Sequence, residues 1–262
     1  MSSGRLQQSP QPKGGEIFKS DWWQVWDPSD GKFPMLDLVV ASVDGAFTED
    51  ELNDPSAMSV WGTFWHPELR AKRVIVLDAW RKHLPLHGAE TQRRPEEIPQ
   101  AGDTAQDVDI KNAHYRQRVS PKWGLVEWVR HTCQRFRVDV LLVEKAATGI
   151  TVAQELQRLY STDEILVHLI PPKGDKVSRA LAIQPLLAGG LVFAPKRSWA
   201  DDLLIKEMSE FPLGKRDDLT DTTSQALGYL RQTGRIRTDE EVRMAMADDV
   251  RHRAHRGRLY PV

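Results

Sequence analysis

The sequence predicts an α/β protein built on a mixed sheet, with a three-strand antiparallel meander, parallel strands beyond it, and helices on both faces. Three observations carry this. Extended segments at 38–44, 58–65 and 73–80 follow one another through short connections. Two further apolar strands, 138–143 and 165–170, alternate with helical stretches, and the chain then closes in helices. At 262 residues, with 40% hydrophobic and 28% charged residues, it can bury a full core.

Residues 1–16 are rich in Ser, Gln, Pro and Gly and read as a flexible lead-in. Trp22, Trp23 and Trp26 come next; they either pack onto the domain or stack on bases. The first meander strand, Leu38-Val39-Val40-Ala41-Ser42-Val43, ends at Asp44, and Asn53-Asp54-Pro55-Ser56 supplies turn chemistry after it. The segment 82–120 is rich in Pro, Gln and charge and lacks apolar periodicity, so an inserted or mobile loop is expected there. Trp123, Val126, Val129 and Cys133 recur at helical spacing, and the following strand closes at Glu144. A helix is expected over 149–160, with Val152, Leu156 and Leu159 inward. The strand 165–170 stops at Pro171-Pro172, and a helix over 175–187 has Asp175 as N-cap and Gly189-Gly190 as its stop. A short extended piece at 191–193 and helices over 199–210 and 217–231 complete a domain spanning 17–233. From Gly234 to Val262 a charged tail follows; its Arg251–Arg258 run either touches DNA phosphates or a partner, or is simply solvated.

Net charge of −1 does not mark a nucleic-acid binder, so any DNA contact must come from local basic patches. Cys133 is the sole cysteine, which excludes an intrachain disulfide and a cysteine-based zinc site and suits a reducing compartment. No apolar run has the length of a membrane span and the N-terminus is not signal-like, so a cytoplasmic protein is expected. Gly14–Ser20 lacks the spacing of a phosphate loop, no Gly-x-Ser-x-Gly elbow is present, and His83 with His87 lacks a third ligand.

The chemistry-bearing residues are acids in three places. Asp44 ends an apolar strand beside the small Gly45-Ala46; it is either a metal ligand or a cap of the turn. Glu144 sits at the C-terminal mouth of its strand, where open α/β sheets place their sites. Asp217, Asp218 and Asp221 crowd the first turn of one helix; the dipole favours acids there, but three repel one another. Brought together, these carboxylates would suit hard divalent cations. Asp78, inside its strand, would either serve a second ion or pair with Arg81 or Arg73. Lys173, Lys176 and Arg179, with Lys215 and Arg216, either contact DNA phosphates or form a solvated basic face.

The strand order and acid positions resemble the ribonuclease H-like superfamily and, within it, the C-terminal nuclease domain of tailed-phage (or prophage) large terminase subunits. Carrying the resemblance are the strand ending in Asp44, Ser56–Gly62, Val74–Arg81 with Asp78, Leu141–Gly149 with Glu144, Pro171–Lys176 with Arg179, and Phe211-Pro212 followed by Asp217–Asp221. Gln8–Gly15 with Phe18 is similar to the linker leading into that domain, so the resemblance spans about 8–232. It implies a metal-dependent endonuclease acting on double-stranded DNA during genome packaging in a bacterial host. The implied cofactors are two Mg²⁺ or Mn²⁺ ions about 4 Å apart, with Asp44 bridging, Glu144 and Asp218 holding one each, and Asp217 or Asp221 completing the set. It also implies a packaging ATPase, a small terminase subunit or a portal as partners. No ATPase segment is present in these 262 residues, which fits a nuclease-only subunit, a split terminase or a prophage remnant. A junction resolvase, a transposase and a non-catalytic assembly protein are the alternatives.

Overall fold

The computed structural model describes residues 17–28, 31–46, 55–88, 94–119, 122–159, 165–171 and 174–254. The expected lead-in at 1–16, Asn53-Asp54, Lys173 and the end of the basic run lie outside the described residues.

The meander forms as the sequence predicts. β2 (Leu36–Asp44) pairs antiparallel with β3 (Ser56–His66), which pairs antiparallel with β4 (Ala71–Lys82). On the other side of β2, β5 (Val140–Glu144) and then β6 (Leu166–Ile170) add in parallel. The run β4-β3-β2-β5-β6 is the expected mixed sheet, an antiparallel meander with parallel strands beyond it. Two parallel strands extend it at β4: first β7 (Val192–Pro195), then β1 (Gln24–Trp26), completing the order β1-β7-β4-β3-β2-β5-β6. β1 answers the question about the N-terminal tryptophans. Trp23 stacks on Trp61 with centroids 6.2 Å apart, and Trp26 packs edge-on against Phe64 and Phe193, so both serve the fold.

Period-two alternation in β2 divides its residues between two layers. Val39, Ala41 and Val43 join one apolar cluster, together with Leu125, Val126, Val129 and Cys133 of α2 (Leu125–Phe136) and Val152 and Leu156 of α3 (Ala147–Leu159). Val40 joins the opposite cluster, formed with α4 (Lys176–Ala188) and α6 (Asp218–Gln232). Ser42 and Asp44 share the parity of Val40 and therefore face α6. β5 is buried on both faces and reads as an unbroken apolar run, as parallel central strands do.

Local signals set the ends of the helices. The Asp175 carboxylate accepts the Ser178 N–H at 2.8 Å and caps α4. Gly149 lies where an added Cβ would sit 2.1 Å from the Glu144 carbonyl oxygen, so the α3 entry closes tightly on the end of β5. The stretch 199–210 forms a wide turn over Ala200–Ile205 and then α5 (Lys206–Glu210).

Two segments carry more regular structure than their sequence suggests. Within 82–120 the chain is not loop throughout: Pro95–Glu97 forms a tight turn and α1 (Ala105–Val119) packs chiefly on it. Arg118 grips Glu97 at 2.7 and 2.5 Å, and Lys111 holds Asp103 at 2.7 Å. A helix anchored by ion pairs carries no apolar stripe, which is why its periodicity is missing. The expected charged tail likewise contains α7 (Asp239–Ala254), tied back by Arg73–Asp239 at 3.2 Å and Arg231–Glu241 at 2.5 Å.

Candidate active site

β2 and β5 are parallel neighbours, with Val43 in register with Val143, so Asp44 and Glu144 emerge side by side at their C-terminal ends. α6 packs on β2 and β3 and delivers its first turn to the same place: Asp217 at the N-cap, then Asp218 and the buried Asp221. Ser42, two residues before Asp44, donates to Gln225 Oε1 at 2.6 Å and ties the strand to the helix one turn beyond Asp221. Three distant segments are thereby drawn to one end of the sheet.

Two basic side chains from α4 meet these acids. Lys176 Nζ lies 2.7 Å from Asp217 Oδ2 and 2.9 Å from Asp221 Oδ2. Arg179 lies 3.0 Å from Asp221 Oδ1 and 3.8 Å from Glu144 Oε1. Burial opposes a charge on Lys176, yet its hydrogen bonds to Asp217 and Asp221 hold its pKa above the ordinary lysine value. Lys176 and Arg179, read from sequence either as phosphate contacts or as a solvated basic face, are turned onto the acids. The Arg179 Nε is buried without a hydrogen-bond partner among the described residues.

Asp44 is the member left in tension. Its pKa is raised to about 6, first by burial and then by the negative charges of Asp221, Glu144 and Asp218, with Lys176 pulling weakly the other way. No hydrogen bond or ion pair reaches its carboxylate among the described residues.

The acidic turn of α6 is itself held by a residue that sequence reasoning missed. Asp217 makes no side-chain cap bond. Glu207, on α5 and 6% exposed, accepts the N–H groups of Leu219 and Thr220 at 2.7 and 3.0 Å and binds Arg81. Arg81 in turn lies 3.8 Å from Asp218. A cap borrowed from another helix thus satisfies two of the orphan N–H groups at the start of α6.

The other named residues lie elsewhere. A β-bulge between Val60 and Trp61 leaves Leu77 out of register, so Leu77 and Asp78 share a face. Asp78 therefore points to the α2 layer, 3.7 Å from Arg135, and neither joins the acids nor pairs with Arg81 or Arg73. Lys215 and Arg216 are exposed on the loop before α6, lining a separate cleft with Arg81 and Lys206.

As they stand, no three acidic, histidine or cysteine side chains among the described residues surround a common point closely enough to hold an ion. The donor set nonetheless suits one. Every donor is a carboxylate oxygen, as hard divalent cations prefer, and the repulsion centred on Asp44 is what such a charge relieves. No helix among the described residues is long and apolar enough to cross a membrane.

No family model and no curated protein matches the sequence. Among solved structures, the chain is similar to the large terminase nuclease from thermophilic phage G20c with bound magnesium, at 12% identity over 83% of this chain and 98% of that one, TM-score 0.44. It is similar to the nuclease domain of the large terminase subunit of bacterial virus Sf6, at 11% identity over 81% and 98%, TM-score 0.43. The human cytomegalovirus terminase nuclease domain is a third, at 12% identity over 74% and 82%, TM-score 0.40.

Proposed function

We propose that this chain is a metal-dependent DNA endonuclease of the phage terminase type, hydrolysing phosphodiesters of double-stranded viral DNA during packaging. The observation that supports it most is the partly buried Asp44, raised to about 6 first by desolvation and then by carboxylates arriving from β5 and α6. A fold that gathers more carboxylates than cationic side chains at one strand end has a use for a further cation there.

Asp44, Glu144 and Asp218 would hold two Mg²⁺ or Mn²⁺ ions through their carboxylate oxygens. Asp217 and Asp221 complete or orient the set. Two such ions supply an activated water and stabilise charge on the leaving oxygen. The remaining work falls to this chain's own side chains. Glu207 and Arg81 hold the α6 turn so that Asp218 faces Asp44. Ser42 and Gln225 fix the spacing of strand and helix. Lys176 and Arg179 balance the acids in the free protein and stand within reach of phosphate oxygens at the same place. Lys173, Lys215 and Arg216 would extend that grip. Phosphate contacts carry no sequence information, so cleavage is expected to show little sequence preference and steep salt dependence. A packaging ATPase, a small terminase subunit or a portal is the partner class this activity calls for.

Plasmid digestion by the purified chain in Mn²⁺, Mg²⁺ and EDTA, beside Asp44→Ala, tests the reading. Cutting in either metal that is absent in EDTA and in the variant is the expected result. Cutting that survives Asp44→Ala or EDTA would overturn it.

A further inference from the structure

One cleft adjoins the acids without belonging to them. It lies between β6, α4 and α6 and has a volume of about 400 Å³, within the range of small-molecule sites. At one end it shares Glu144 and Arg179 with the acid cluster. Its wall carries two rings, His168 from β6 and Tyr229 from α6, with centroids 5.7 Å apart. Ser224 and Gly228, one helical turn apart on α6, line the same side.

Two of these residues point to an occupant. Ser224 is only 5% exposed, yet its Oγ has no hydrogen-bond partner among the described residues. Thr220 and Thr223 of the same helix also carry unpartnered hydroxyls among the described residues, but only Ser224 lines the cleft, where an arriving polar group could satisfy it. Gly228 leaves open space where a Cβ would stand, with no atom within 4 Å. Glycine inside a helix costs about 1 kcal/mol relative to alanine, so room there is kept against local propensity.

We propose that this cleft receives a single unstacked nucleobase of the DNA strand whose phosphate lies at the acids, an inference that rests on the nuclease reading. A base offers ring faces to His168 and Tyr229 and edge donors and acceptors to Ser224. An apolar ligand would leave Ser224 unpaired, and a bare phosphate would leave the rings unused. A base stacked and paired in a duplex cannot enter a space between two helices and a strand, so the site selects frayed, bulged or nicked positions.

The test compares binding, in EDTA, of a fully paired duplex and the same duplex with one bulged fluorescent purine analogue. The wild type is expected to prefer the bulged duplex by about tenfold, with a change in the analogue's emission, since base–aromatic stacking supplies that much. Gly228→Phe fills the space while adding a better helix former. It should bring the preference to about onefold without lowering the melting temperature; Gly228→Gln should act in the same direction with less bulk. Excess deoxynucleoside monophosphate should not remove the preference, because the base is delivered by its strand. No preference in the wild type, a preference that survives both Gly228 variants, or full competition by the free nucleotide would each overturn the proposal. If cutting persists while the preference is absent, the cleft inference fails alone; if the wild type binds neither duplex and cuts nothing, the nuclease reading fails with it.

Discussion

Asp44 and Asp78 are both aspartates on inner strands of one sheet, and burial raises the pKa of both. Their company differs. Around Asp44 the next influences are three more carboxylates. Around Asp78 they are Arg135, the Ala79 N–H at 3.0 Å, Arg197 and Lys82, all of which favour its charge. The two layers of the sheet follow the same division. Buried polar side chains Ser42, Ser59, Thr63 and Glu207 lie on the α4–α6 side, whereas the α2–α3 side is packed almost wholly with apolar residues. A buried acid whose neighbours answer its charge is part of the scaffold. A buried acid whose neighbours compound its charge is held for something that arrives later.

The largest test of this contrast is the pair Asp44→Asn and Asp78→Asn. Because the folded pKa of Asp44 is about 6 against an ordinary 3.8, ionising it opposes folding. In metal-free protein that cost is absent below about pH 4, grows as pH rises towards 6, and levels at roughly 2–3 kcal/mol above it. Asp44→Asn should therefore stabilise the chelated protein by about that amount at pH 8 and by almost nothing at pH 4, read from urea unfolding. The same change should lower metal-dependent cutting by about a thousandfold or more and abolish thermal stabilisation by Mn²⁺. Asp78→Asn should leave cutting within about threefold. Equal losses of cutting from the two variants would break the comparison.

Glu207 sharpens it, being a buried acid on the same side as Asp44 but with scaffold company. Burial raises its pKa, while the N–H groups of Thr220 and Leu219 and the Arg81 charge favour its ionised form. Glu207→Ala leaves two helix N–H groups unanswered and Arg81 with only the more distant Asp218, and should cost about 3 kcal/mol in urea unfolding. Glu207→Gln keeps an acceptor and should cost about half as much. Since Asp218 rides on the same turn, the Gln variant should also slow cutting by about tenfold. A full loss of cutting at unchanged stability would instead place Glu207 among the ion-binding acids.

What was legible in the sequence follows the range of the interactions. The alternation of β2, the acids ending β2 and β5, and the Asp175 cap are local patterns, and all appear in the structure. Partnerships such as Ser42–Gln225 and Arg81–Glu207 join residues more than a hundred apart, with no local trace. Asp78 shows how little it takes to mislead: strict alternation from Val74 and Val76 puts it on the acid side, and one bulged residue reverses it. α1 and α7 lacked an apolar stripe, but each had a readable start. Thr104 and Asp107 exchange reciprocal cap bonds, as do Thr238 and Glu241, which is the S/T-x-x-acid signature of a helix N-terminus.

Glu97 stands at the opposite extreme from Asp44 and gives the smallest expected effect. The hydrogen bonds of Arg118, joined by the Arg94 N–H, hold its carboxyl down at about 2, well below the ordinary 4.5. With the folded pKa depressed, its contribution is complete above about pH 4.5 and is lost as pH falls towards 2. Removing the charge at neutral pH imitates that loss. Glu97→Gln should therefore loosen α1 from the Pro95–Glu97 turn, speeding tryptic cleavage within 105–119 by roughly fivefold. Cutting of DNA and the unfolding midpoint should stay at their wild-type values, because α1 packs chiefly on that turn and not on the sheet. A lowered midpoint in this variant would show that α1 supports the sheet, and that an acid fully answered by its neighbours can still carry the stability of the whole.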